Sequence, residues 1–258
     1  MHAFSRRPRP PMTRRPSRRP LAFAAIAALA LAGGLAAAPG GAAAQSFRPF
    51  DEGPRDASFA AFRRALIGIA GRRDLTALAR HFHKDIRVGF GGQNGRAEAV
   101  KAMRGDAGRW RVLARVLRRG GRFQRAKWRC RTPTGPKPCV LPGFIAPYTY
   151  FASPPKGRDV FETMVITASG VNLRAAPHRR AKVLARLSHR IVATPKTPRK
   201  TVDGKAVPDD WVEVELPGGK RGRRGFVARR FAVSPIDYRA GFVKQDGRWQ
   251  MTFFLAGD

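Results

Sequence analysis

Hydrophobic side chains recur at helical spacing in the first half of the chain and alternate in short bursts in the second. Phe59, Phe62, Leu66 and Ile69 fall on one helical face, with Asp56 or Ser58 as N-cap. Gly71 interrupts that run, and Asp74 can cap a second helix whose apolar face is Leu75, Leu78 and Phe82. Ile86, Val88 and Phe90 alternate, which predicts a strand ending in a glycine turn. A third helix is predicted from Gly95, and a fourth carries Trp110, Leu113 and Leu117 before stopping at Gly120 and Gly121. Residues 122–160 read as irregular, apart from a short strand at 148–151.

From 160 onward, short apolar runs follow one another at close intervals, separated by Gly, Pro and charged turns. That spacing predicts a small barrel or sandwich. Residues 195–210 form a long polar loop within it. The final piece reads as two strands joined by Gln245, Asp246, Gly247 and Arg248, a hairpin turn. The expectation is an α+β chain: a polar lead-in over 45–57, a helix-and-sheet domain over 58–164, and a small all-β barrel over 165–235. A two-stranded hairpin alone is barely stable, so residues 236–258 are expected to complete the sheet of the first domain. The alternative packs that hairpin beside the barrel as an appendage.

The N-terminus changes the picture. Seven arginines and no acid precede residue 21, an uncharged Ala-rich stretch follows over 21–38, and small residues close the segment. This order is that of a signal peptide spanning 1–44, cut between Ala44 and Gln45. The apolar stretch would span about 27 Å as a helix, short of the roughly 30 Å of a bilayer core, so contact with the membrane is expected only before cleavage. Arg18 and Arg19 ahead of a weakly hydrophobic segment suit the twin-arginine route, and the general route stays open. The location expected is periplasmic or secreted.

Export in turn decides how charge and cysteines are read. The 258 residues carry 51 Lys+Arg against 17 Asp+Glu, a formal charge of +34; removing the seven leader arginines leaves +27. With 40 Arg to 11 Lys, part of this skew records GC-rich coding, and a solvated basic surface is the plain reading. The sharper one is attraction to polyanions, which outside the cytoplasm are envelope surfaces and peptidoglycan carboxylates. No nucleic-acid partner is expected. Cys130 and Cys139 are the only cysteines, and an even count in an exported chain favours a disulfide. The prolines between them argue against a helix or a central strand, and no further ligand lies near enough in sequence for a metal site.

Residues 166–232 resemble a bacterial SH3-type domain of the kind found in exported envelope proteins. Val171-Asn172-Leu173-Arg174-Ala175-Ala176-Pro177 is similar to that family's opening, followed by 183–187 at the place of its second strand. Trp211-Val212-Glu213-Val214 is similar to its W-x-x-V strand, Pro217-Gly218-Gly219-Lys220 to its distal turn, and Gly225-Phe226-Val227 to its closing motif. The long 195–210 loop and Arg221, Arg223 and Arg224 depart from the pattern. The resemblance implies an SH3-like barrel that binds cell-wall peptides or partner proteins, with Arg174, Trp211 and Phe226 as ligand-binding candidates. Val183 and Leu187 would face inward, Trp211 is a candidate half-exposed stacking platform or a seal for the barrel end, and Arg174 either clamps a carboxylate or bridges to Glu213 or Glu215.

The flanking domain resembles, on fewer residues, the cone-shaped superfamily of nuclear transport factor and ketosteroid isomerase. That resemblance implies a pocket, and His81, His83, Asp85 and Glu98 are the titratable residues near it. The two histidines are expected beside helix C-terminal carbonyls rather than on a metal. Nucleophile elbows, Walker loops and H-E-x-x-H are absent from the sequence. The function expected is that of a non-enzymatic, cofactor-free and metal-free envelope protein binding peptidoglycan or a protein partner. The competing expectation is a small-molecule-binding or enzymatic pocket in the first domain, with the SH3-like module as targeting device.

Overall fold

The computed structural model describes residues 46–257, apart from Gln93 and 216–223. The expected cleavage point at Ala44 and Gln45, the distal turn at 217–220, Arg221 and Arg223 lie outside the described residues. Helix α1 (Ala57–Arg72) starts where the Asp56 carboxylate accepts the Phe59 N–H at 2.9 Å, filling an otherwise orphaned donor. It runs through Gly71 and ends on Arg73 in the left-handed conformation. Helix α2 (Leu75–Ala79) is capped by Asp74 in the same way. Strand β1 (Phe82–Arg87) begins four residues before the alternation at Ile86 suggests, because Phe82 leaves the short helix and buries itself in the sheet. Helices α3 (Arg96–Gly105) and α4 (Gly108–Arg118) follow.

Residues 122–146, expected to be irregular, form one long hairpin: β2 (Arg122–Thr132) and β3 (Gly135–Ala146) pair along their whole length. The Cys130–Cys139 disulfide lies across it. Its prolines misled the sequence reading for a physical reason. Strand β3 pairs with a second neighbour only at 143–146, so Pro138 and Pro142 sit on an open edge, where a missing N–H costs no ladder bond. The expected strand at 148–151 is a 3₁₀ turn, Tyr148–Phe151.

Strands β4 (Thr163–Ile166), β5 (Val171–Arg174), β6 (Val183–Leu187), β7 (Arg190–Ala193), β8 (Thr201–Val202), β9 (Lys205–Ala206), β10 (Trp211–Glu215), β11 (Arg224–Ala228) and β12 (Ala232–Val233) come next. They build a four-stranded sheet in the order β10-β11-β5-β6, a three-stranded sheet β12-β4-β7, and the small β8–β9 hairpin inside the polar loop. The two larger sheets share a core of Ile166, Leu173, Leu187, Val192, Val214 and Val227, and their strands do not close into one continuous barrel. Val183 is not inward: the register shifts between Leu173 and Arg174, Val183 falls opposite Arg174, and it is 41% exposed on an edge strand.

The chain ends with β13 (Arg239–Gln245) and β14 (Arg248–Leu255), turned by Asp246 and Gly247, both at positive φ. The five-stranded sheet runs β1-β14-β13-β3-β2, with β1 parallel to β14. Strands β3 and β13, nearly a hundred positions apart in sequence, are therefore hydrogen-bonded neighbours. Helices α1 and α4 cover this sheet through Phe59, Leu66, Leu113 and Leu117, which meet Phe144, Phe242 and Met251. The Phe59 and Phe144 rings lie 4.2 Å apart. The whole described chain is mixed α+β.

Candidate functional site: an arginine-lined groove

Strand β5 alternates buried Val171 and Leu173 with half-buried Asn172 and Arg174, so Asn172 and Arg174 project together on the outer side. Here a groove of about 340 Å³ opens between β5, the start of β10 and the end of β11. Its walls carry Arg174, Arg179 and Arg230 against one carboxylate, Asp210, together with Asn172 and Trp211. Arg174 is pinned by a hydrogen bond from Nη1 to the Ala181 carbonyl at 2.8 Å. The bridge from Arg174 to Glu213 or Glu215 does not form. Glu213 is held by Arg199 and Glu215 by Arg158, which leaves the Arg174 charge to the groove.

The other two candidates need correction. Trp211 lines the groove but is only 8% exposed, so it offers an edge rather than a half-exposed platform. Its backbone is locked at both ends, the N–H donating to the Pro208 carbonyl and the carbonyl accepting from Arg229. Phe226 has no exposed surface and cannot touch a ligand. It lies on the outer face of β11, where the Arg199 guanidinium stacks 4.7 Å above its ring. Arg199, from the 195–210 loop, thus covers this face at Phe226 and Glu213.

Among the described residues, the helix-and-sheet region encloses a small apolar void. The void among Leu78, Phe82, Met103, Leu113, Met251 and Phe254 is about 10 Å³, about room for one water. His83 is buried in β1, where its Nδ1 accepts the Asp85 N–H and its ring meets Trp128 edge-on. His81 packs edge-on against Phe62. The sequence predicts both histidines beside helix C-terminal carbonyls; in the structure each side chain is packed against an aromatic ring instead. Burial holds both imidazoles below their ordinary pKa, with Arg80 adding to the effect on His81.

Sequence reading found Arg174 and Trp211 but missed Asn172, Arg179, Asp210 and Arg230 as their companions. No sequence signal separates Arg179 or Arg230 from the many other arginines; only the fold brings them to one groove. Comparison with protein-family models, curated proteins and solved structures finds no match.

Proposed function

We propose that this is an exported, non-enzymatic protein of the cell envelope, whose SH3-like module binds peptidoglycan or an envelope protein through the groove at Arg174. The observation that carries this reading is the convergence of three guanidinium groups, an amide and an indole edge on one concave surface with a single carboxylate. Planar guanidinium forks suit carboxylates, indole edges suit the apolar flanks of sugars and peptides, and Asn172 supplies an amide for peptide bonds. Stem peptides of peptidoglycan present all three chemistries. Supporting the exported location are the basic, Ala-rich leader and the Cys130–Cys139 disulfide. The competing reading, a ligand pocket inside the helix-and-sheet region, would have to be built on the void beside Phe82 and Met251, which measures about 10 Å³.

Sedimentation with isolated sacculi tests the proposal. Arg174→Gln and Arg179→Ala are expected to cut the bound fraction at moderate salt, whereas Arg186→Ala, an exposed arginine outside the groove, leaves it unchanged. Equal losses for all three would reduce the binding to net charge.

A further inference from the structure

A second recess lies where the end of α4 meets the chain leading into the module. It measures about 350 Å³ and is walled by Phe50, Asp51, Arg118, Arg119, Tyr148 and Thr167. Two features set it apart from the rest of the basic surface. Tyr148 is only 2% exposed, yet its hydroxyl has no hydrogen-bond partner among the described residues. A buried phenol normally finds one, because an unpaired hydroxyl costs about 1–3 kcal/mol. The second feature is Arg119. It is half-buried and desolvated, which distinguishes it from the exposed arginines, yet its guanidinium forms no ion pair among the described residues.

The neighbours do not neutralise this charge. Asp51, the carboxylate in the wall, is already committed to Arg63 through two hydrogen bonds of 2.6 and 2.7 Å. Burial lowers the Arg119 pKa, and Arg115, one helical turn away on α4, lowers it further, while Tyr148 and Asp237 act in the opposite direction. The Tyr148 hydroxyl senses Arg119 in return, and its own pKa is raised by burial. Arg119 also lines a wide cleft of about 710 Å³, where Arg115, Arg229 and Arg230 stand with the carboxylates Asp210 and Asp237, so the recess opens onto a surface that carries more cations than anions.

We propose that Arg119 and Tyr148 form an oxyanion site, in which the guanidinium fork and the phenolic O–H together hold a carboxylate or phosphoryl group entering beside Phe50. The ring stack of Phe47 on Tyr148 and the edge contact from Phe50 fix the phenol in place. The site is separate from the Arg174 groove and stands whether or not the groove binds peptidoglycan.

Thermal unfolding of the purified protein in inorganic phosphate or acetate, at ionic strength held constant with chloride, tests this. A saturable upward shift in unfolding temperature is expected with phosphate; acetate saturating as well assigns carboxylates to the site, and phosphate alone assigns phosphoryl groups. Tyr148→Phe should unfold without anion at or above the wild-type temperature, since it removes an unpaired hydroxyl, and should raise the half-saturating concentration at least five-fold. Arg119→Lys, which keeps the charge and loses the fork, should raise it similarly, and Arg119→Gln should abolish saturation. A Tyr148→Phe titration that overlays the wild type, or a non-saturating shift shared by every variant, would overturn the proposal and leave an adventitious ion only.

Discussion

Arg199 holds the buried carboxylate of Glu213 twice, its backbone N–H donating at 2.7 Å and its Nε at 2.6 Å. The Glu213 side chain is 1% exposed, so these two donors replace the water it would otherwise keep. The same guanidinium lies over the Phe226 ring. One residue of the polar loop thus pins that loop to the outer face of the β10–β11 pair.

Arg199→Ala is therefore expected to destabilise the protein by about 2–4 kcal/mol, because it strands a buried charge rather than removing a surface contact. Urea denaturation checks this, with Arg186→Ala as an exposed control expected within about 0.5 kcal/mol of wild type. Glu213→Gln combined with Arg199→Ala should recover part of the loss, since the stranded charge is gone.

Reduction of the Cys130–Cys139 bond should loosen the protein locally. From residue 142 toward its tip, the β2–β3 hairpin has no third strand among the described residues. Amide exchange is expected to quicken at Lys137, Cys139, Val140 and Leu141 and to stay slow at 143–146, where β13 pairs. The accompanying loss of stability is bounded by about 2–3 kcal/mol for a loop of this length. Equal protection of both segments after reduction would contradict it.

Acidification should destabilise the protein in two steps. His81 and His83 have pKa values lowered by burial, so the unfolded chain takes up their protons first. Their contribution is complete above the ordinary value of about 6.5 and declines as pH falls below it. Asp56 acts at lower pH: hydrogen bonds from Ser58 and from the Phe59 N–H hold its carboxyl below 3.8, so its contribution is lost as pH falls beneath that value. Unfolding temperatures at pH 7.5, 6 and 5 (roughly spanning the histidine window) should fall for the wild type. The slope should flatten in a His81→Gln, His83→Gln double variant, even if that variant is less stable throughout.

What could be read from sequence followed local chemistry. Asp56 and Asp74 announce their helices because a carboxylate before an apolar stripe is an N-cap, and Asp246-Gly247 announces its hairpin because the turn needs positive φ. The β2–β3 hairpin was illegible because its prolines are tolerated only by an open edge, and edges are a property of the assembled sheet. The site divides the same way. Arg174 and Trp211 lie in motif-bearing strands, whereas Arg179, Asp210 and Arg230 join them through folding alone. The partner of Glu213 was misread because a long loop, absent from the family pattern, supplies Arg199.

The most direct measurement is a titration of the isotope-labelled protein with a soluble muropeptide, followed by amide and indole NMR. The account predicts saturable shifts concentrated at Asn172, Arg174, Arg179 and the Trp211 indole, lost when the muropeptide carboxylates are amidated. Shifts absent from those four residues, or unchanged by amidation, would contradict it.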